Sequence, residues 1–282
     1  MGMGIKKMKY KITYFILLSF IISSLISCSQ PSIINDKIAH LNFENASLCP
    51  MPIDVLQAKS NEVYRYVCKR MNTSLNTTIH VTFKPQLEGK TIRGTTSATE
   101  ITIFIKENVT QDYILGVLAH ETGHVAINDS GIGSSIYPQL NEGFATWLAG
   151  DYWLNWHKIS SFSKGINPNI DKEQCLSLED NNRVIQDITS RDEVYNAWAS
   201  FIDFLIKTYG LDRFKKFLSG TCEEEFIKNI LKEYFNENPE SQEFQIHLLE
   251  VKYNSITNLC KSIYGKSFED LRKEWILYIL NG

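Results

Sequence analysis

The sequence lacks several features that would assign it to a class at once. It contains no collagen-like period, no sustained heptad and no low-complexity tract, which excludes fibrous and repetitive architectures. A net charge of −3 gives the whole chain no electrostatic basis for binding nucleic acid. Hydrophobic residues make up 43% and charged residues 22% of the 282 positions, so a largely disordered protein is excluded. This length is sufficient for one or two domains with a buried core.

A long transmembrane run is also lacking, and the one apolar segment lies at the N-terminus. Four lysines between Lys6 and Lys11 precede an apolar run from Ile12 to Ile26, and these 15 residues are fewer than a spanning helix requires. A basic start with a short apolar run is typical of a signal peptide. The run ends in Leu25-Ile26-Ser27-Cys28, which resembles a bacterial lipobox. The resemblance implies cleavage before Cys28 and lipidation of that cysteine; an ordinary signal peptide with an incidental Cys28 is the alternative.

A lipobox implies a lipid-anchored protein of the bacterial cell envelope. Ser29 follows the cysteine, and no aspartate stands there, which by the rule for such lipoproteins favours the outer membrane. Cleavage removes four lysines and no acidic residue, leaving a net charge of −7. We therefore expect the lipid on Cys28, rather than a polybasic patch, to attach the protein to the membrane.

The sequence pattern predicts an α+β fold with a small N-terminal sheet and a mostly helical C-terminal part. Apolar residues recur at helical spacing over 53–71, and alternate with polar residues over Thr77–Lys84 and Glu100–Lys106. We expect helices from Gln111 and Pro138, a functional lid or short helices over 155–190, and helices from Asp192 to the end. The predicted organisation is a signal peptide (1–27), a tether (28–52) and one domain (53–282), in which 53–154 hold the sheet and site helices and 190–282 a helical subdomain.

No pair of cysteines has the CxxC spacing of a metal site. After Cys28, an odd number of five remains, so at least one thiol is free or pairs between molecules. An exported chain permits disulfides, and for each cysteine a buried free thiol and a disulfide both remain open. The five are Cys49, Cys68, Cys175, Cys222 and Cys260.

The strongest signal for chemistry is His120-Glu121-Thr122-Gly123-His124, in the middle of a predicted helix. Two histidines four residues apart lie on one helical face, so both imidazoles can reach one metal ion. Glu121 flanks that face, where a general base would act on the attacking water. Gly123 costs about 1 kcal/mol relative to alanine in a helix interior, which indicates close packing at that point.

A catalytic zinc ion requires a third protein ligand, and the sequence offers Glu142. No HxxGxxH continuation is present, and Glu142 lies 18 positions beyond His124 on the next predicted helix. It stands outside the apolar stripe that includes Leu140, Phe144 and Trp147. A surface carboxylate is the alternative, but the neighbouring HExxH sequence favours a ligand.

HExxH followed by the Asn141-Glu142-Gly143-Phe144-Ala145 helix resembles the gluzincin metallopeptidases, the group of thermolysin and the alanyl aminopeptidases. The segment from Tyr195 to Gly210 is similar to the helix after the site in small bacterial members of the group. Tyr264–Phe268 with Glu274-Trp275 is similar to their closing segment, so the resemblance covers about residues 53–282. It implies a thermolysin-like architecture, Zn²⁺ held by His120, His124 and Glu142, and hydrolysis of peptide bonds in peptide or protein substrates.

Within this resemblance, Glu121 is the general base toward a zinc-activated water, and Tyr195 is the candidate donor to the oxyanion. Tyr195 could equally be the first core residue of its helix. Gluzincin substrates lie along an edge strand, here expected over Thr99–Ile105. That strand lacks the GxMEN sequence of alanyl aminopeptidases, so the resemblance does not extend to aminopeptidase specificity.

The sequence therefore predicts a lipid-anchored zinc metallopeptidase. A zinc-stabilised binding lipoprotein without turnover is the first alternative, and intact Glu121 argues against it. A surface protein that binds a host or envelope polymer is the second. Cleavage site, physiological substrate and oligomeric state do not follow from the sequence.

Overall fold

A computed structural model describes residues 41–75, 77–86, 92–133, 135, 137–178, 191–222 and 242–281. It shows an α+β fold with a four-stranded mixed sheet and a mostly helical remainder. The predicted signal peptide, Cys28 and residues 223–241 of the predicted helical C-terminal part lie outside the described residues. No helix of the described part is long and apolar enough to cross a membrane.

The sheet has the strand order β1-β2-β4-β3. β1, β2 and β4 run parallel, whereas β3 pairs antiparallel with β4 and occupies the edge of the sheet. Alternation places Val81, Phe83, Ile101 and Ile103 in the core, because successive side chains of a strand point to opposite faces. The strands are β1 (Leu41–Glu44), β2 (Ile79–Pro85), β3 (Gly94–Ser97) and β4 (Glu100–Ile105).

Two parts of the sheet differ from the sequence prediction. Residues 41–52, assigned to the tether, belong to the folded part, because β1 pairs with β2 and Leu41, Cys49 and Met51 are buried. Between the two predicted strands along the chain lies β3, which the sequence pattern did not predict. Both strands have only four residues, too few for alternation to be recognised.

Eight helices lie within the described ranges, including helices that begin at Gln111 and Pro138 as predicted. The region 155–178 contains a 3-10 turn at Ser163–Gly165 and one short helix, in agreement with one of the two expectations. The helices are α1 (Ile53–Met71), α2 (Gln111–Asp129), α3 (Pro138–His157), α4 (Lys172–Cys175), α5 (Arg191–Tyr209), α6 (Leu211–Gly220), α7 (Gln242–Tyr264) and α8 (Phe268–Asn281).

Helix α2, which carries the HExxH sequence, is buried between the sheet and α3. Its start is capped by Thr110, whose Oγ1 accepts a hydrogen bond from the Tyr113 backbone N–H at 3.2 Å. The expected close packing occurs at Gly123, where a Cβ would lie only 3.1 Å from the Ala145 Cα of α3. Glycine thus permits α2 and α3 to approach closely enough for their side chains to share one site.

The structure shows no disulfide bond between the cysteines of the described residues. Cys49, Cys68, Cys175, Cys222 and Cys260 are all free thiols, and four of them are buried. Burial raises the pKa of the Cys175 thiol to about 12, so this group stays protonated at neutral pH.

Candidate metal centre

His120, His124 and Glu142 lie together at the junction of α2 and α3. The His120 Nε2 atom is 3.2 Å from His124 Nε2 and 3.1 Å from Glu142 Oε2, and His124 Nε2 is 3.5 Å from Glu142 Oε2. One helical turn separates the two histidines, and the close packing of α3 on α2 brings the carboxylate to them.

These separations fit a metal ion held by three protein ligands. Ligands at about 2.0–2.1 Å from a tetrahedral ion lie about 3.3 Å apart, close to the three observed distances. Within the described residues, these three side chains form the one group of histidine, cysteine and carboxylate donors arranged for a metal ion. Two imidazoles and a carboxylate suit zinc and also other first-row divalent metals.

A buried hydroxyl orients the first histidine. His120 Nδ1 lies 3.2 Å from Thr146 Oγ1, and the Thr146 side chain is fully buried on α3. When Thr146 accepts the Nδ1 proton, the Nε2 atom of His120 presents its lone pair to the shared point between the three donors.

The electrostatics of the three side chains favour an anionic Glu142 beside the two histidines. Burial opposes the charged form of Glu142, but the His124 and His120 imidazoles outweigh it and hold the pKa of Glu142 well below its ordinary value. Burial also opposes the charged form of His124, and Glu142 and Glu121 outweigh it to raise the pKa of His124. Glu142 therefore remains an anionic donor at neutral pH.

Glu121 is held separately, against the edge strand of the sheet. Thr96 Oγ1 lies 2.6 Å from Glu121 Oε2 and donates a hydrogen bond to it. At Gly94, a Cβ would stand 2.5 Å from Glu121 Oε1, so a larger residue there would displace the carboxylate from its present position. The Glu121 residue is 6% exposed and lines the cleft described below.

Tyr195 joins the site from α5. Its ring centroid is 5.8 Å from that of His120, and its hydroxyl accepts a hydrogen bond from Arg191 Nη2 at 2.9 Å. Burial raises the pKa of Tyr195 above its ordinary range, and the neighbouring Glu142 carboxylate adds to the shift. Tyr195 is therefore a buried core residue of α5, and its protonated hydroxyl also lies beside the metal donors. Its position is compatible with both roles considered from the sequence, a core residue and an oxyanion donor.

An open cleft of about 460 Å³ gives access to these groups. β3 forms one side and the start of α5 another, and Trp153 and Trp156 contribute aromatic surface. The prediction that Thr99–Ile105 is the edge strand is wrong, because β4 is paired on both sides within the sheet. β3 is the edge strand beside the site, and it carries no acidic residue of the GxMEN kind.

Sequence reasoning missed Thr96, Thr146 and Arg191. Thr96 lies on an unrecognised strand, and Thr146 lies one helical turn after Glu142, which is the only signal that pointed to it. Asn141, next to Glu142, holds the loop before α3: its Nδ2 donates to the Ser135 backbone oxygen at 2.7 Å. Comparisons with protein-family models, with curated proteins and with solved structures find no match for this chain.

Proposed function

We propose that the protein is a zinc-dependent metallopeptidase of the gluzincin type, with a thermolysin-like arrangement of its site. One observation carries the proposal: His120, His124 and Glu142 converge at the spacing of a three-ligand metal site, and Glu121 lies beside them in an open cleft. A purely structural site would not require the carboxylate of Glu121 at the cleft.

The donor set fits zinc, with His120, His124 and Glu142 as its ligands. A bound zinc ion would supply a Lewis acid, which polarises a carbonyl group and acidifies water. Glu121 accepts a proton from the attacking water as the water oxygen bonds to the peptide carbonyl carbon. Glu121 then delivers this proton to the amine nitrogen as the C–N bond breaks. Thr96 holds the carboxylate in position for both transfers.

Tyr195 and β3 complete the proposed mechanism. The Tyr195 hydroxyl accepts a hydrogen bond from Arg191, and the Glu142 carboxylate is the neighbouring acceptor for its own proton. The donor role requires this proton to turn from Glu142 to the developing oxyanion when a substrate binds. β3 is paired on one side only, so its other side can take an extended peptide through backbone hydrogen bonds. The substrate class that this arrangement supports is a peptide or an extended protein segment.

We further propose that the protein acts outside the cytoplasm, anchored by lipid on Cys28 in the bacterial cell envelope, in the outer membrane. The support is the lipobox resemblance of Leu25–Cys28 and Ser29 after it. Mass spectrometry of the membrane-extracted protein tests this: a diacylglycerol-modified N-terminal Cys28 is expected, and an unmodified Cys28 would contradict it.

Replacement of the general base tests the peptidase proposal. Glu121→Gln keeps the size of the side chain and leaves all three metal donors, so we expect zinc binding to persist while cleavage of a peptide library falls by at least about 1,000-fold. Glu100→Gln, an exposed carboxylate at the start of β4, is the matched control and retains full activity. Full activity in Glu121→Gln would overturn the mechanism. Zinc binding without cleavage by the unaltered protein would favour the binding lipoprotein.

A further inference from the structure

Two arginines line the cleft, and they differ in whether an ion pair within the protein neutralises their charge. Arg93, just before β3, forms a two-pronged ion pair with Asp192, in which Nη2 lies 2.9 Å from Oδ2. Its guanidinium also stacks over the Trp156 ring, 4.8 Å from the centroid. The charge of Arg93 is thus compensated within the protein.

Arg191, the first residue of α5, has no comparable ion pair in the part of the chain that the structure describes. Burial lowers the pKa of its guanidinium, but Tyr195 and the nearby Glu142 and Asp192 carboxylates outweigh burial and raise it. Within the described residues, its guanidinium forms no salt bridge, and its one hydrogen bond goes to the neutral hydroxyl of Tyr195. Its Cζ atom lies 5.2 Å from the centroid of the Tyr195 ring. Asp192, the adjacent acid, already engages Arg93. Because a guanidinium has five N–H donors, Arg191 keeps donor capacity at the cleft.

The position of Arg191 makes this free capacity relevant to substrates. The Tyr195 hydroxyl bridges Arg191 and Glu142, because it interacts with both side chains. Glu142, in turn, directs a carboxylate oxygen to the two histidines. A substrate whose peptide bond lies at His120, Glu121 and Tyr195 must therefore have a neighbouring part close to Arg191.

We propose that Arg191 is a carboxylate-binding subsite of the cleft, so that the preferred substrates are peptides with a carboxylate next to the scissile bond. A planar guanidinium matches the two oxygens of a carboxylate, and a partly buried cation is stabilised most by an anion. The carboxylate is either the C-terminus of a short peptide or an Asp or Glu side chain. This inference rests on the proposed peptidase function, because that function places a peptide in the cleft.

Binding and cleavage of matched peptide pools test the subsite separately from turnover. Four pools of hexapeptides are used: one with a free C-terminal carboxylate, one amidated, and two amidated pools with a fixed Glu or a fixed Gln. Binding is measured on the full chain carrying Glu121→Gln, with zinc added and with zinc chelated. Cleavage is measured on the unaltered chain.

We expect a preference of about 10- to 100-fold for one acidic pool over its neutral partner, both in affinity and in kcat/KM. The free-acid pair reports a C-terminal subsite, and the Glu–Gln pair reports a side-chain subsite. Arg191→Gln reduces the preference to less than about threefold, and Arg191→Lys, which keeps the charge without the planar fork, reduces it in part. Because the readout is a ratio between pools, a general loss of activity in either variant cancels.

The matched control is Lys273→Gln on α8, which removes one positive charge from an exposed position and leaves the preference unchanged. Equal affinity for acidic and neutral pools in the protein with Arg191 intact, or a preference that survives Arg191→Gln, overturns the subsite. The comparison of acidic with neutral pools in the protein with Arg191 intact can overturn the subsite even if Arg191→Gln does not fold. A preference in binding with no cleavage of any pool retains the subsite and removes the peptidase; cleavage without a preference does the reverse.

Discussion

The two sides of the cleft contribute different parts of the site. The helix wall, formed by α2 and α3, supplies the three metal donors from buried helices, with separations of 3.1 to 3.5 Å. The rim, formed by β3 and the first turns of α5, supplies the groups that hold Glu121 and, in the proposed mechanism, contact a substrate. The wall is fixed by helical periodicity and one close helix contact, whereas the rim depends on segments far apart in the chain.

This contrast predicts that changes at the wall alter metal affinity and that changes at the rim alter turnover with the metal retained. Each prediction below separates these two effects.

The largest effect at the rim is expected for Tyr195→Phe. The change removes the hydroxyl and leaves the stacked ring, so zinc binding stays and kcat falls about 100- to 1,000-fold, as for loss of an oxyanion donor. Steady-state kinetics with zinc analysis check this. An unchanged kcat would assign Tyr195 to the core alone.

Thr96→Val is expected to lower kcat/KM by about 10- to 100-fold, because it removes the hydrogen bond that holds Glu121 Oε2. Thr96→Ser keeps the hydroxyl and serves as the control with near-normal turnover. Zinc affinity is measured for both variants and should not change. Loss of zinc in Thr96→Val would mean that a change at the rim also alters metal affinity, contrary to the proposed division between rim and wall.

At the wall, Thr146→Val should weaken zinc binding by about 10- to 100-fold, since Thr146 is the partner of the His120 Nδ1 atom. Competition with a chelator measures the zinc affinity, and Thr146→Ser is the matched control. At saturating zinc, we expect Thr146→Val to recover most of its turnover. Unaltered affinity would show that Thr146 does not orient the histidine.

The smallest effect concerns stability at the point where wall and rim meet. Burial lowers the pKa of His157 to about 4, Arg93 adds to the shift and Asp192 opposes it. An unfolded histidine has a pKa of about 6.5, so the unfolded state binds a proton at higher pH than the folded state. The contribution of His157 to stability is therefore complete above pH 6.5, falls as the pH drops toward 4, and does not fall further below.

Urea unfolding at pH 7 and pH 4.5 measures this contribution. The free energy of unfolding should drop between these pH values by about 2 kcal/mol more in the unaltered protein than in His157→Phe. The phenylalanine fits the aromatic surroundings, where the His157 ring lies 4.6 Å from Trp153 and 4.0 Å from Trp156 between centroids. Equal drops in both proteins would contradict the shifted pKa.

The wall could be predicted from the sequence, and the rim largely could not. His120 and His124 are related by one helical turn, and Gly123 indicated the close contact that brings α3 to α2. Glu142 was predicted as a ligand because it lies outside an apolar stripe and follows an HExxH sequence that needs a third ligand. These are local patterns, and each survives in the structure.

Thr96 and Arg191 have no such local signal. Thr96 lies in a four-residue polar strand, and its role arises only because the sheet order places β3 beside α2. The alternation of β4 predicts a strand but not its place in the sheet, because strand order is a property of the whole sheet. Arg191 stands beside Asp192, and only the structure shows that this acid pairs with Arg93 instead.

The most direct test of the account is the zinc stoichiometry of the full chain, measured beside His120→Ala and the matched control His80→Ala. The convergence of His120, His124 and Glu142 predicts one zinc ion per chain in the unaltered protein and in His80→Ala, and none in His120→Ala. An unaltered protein that binds no zinc, or a His120→Ala variant that binds it as tightly, would contradict the metal centre.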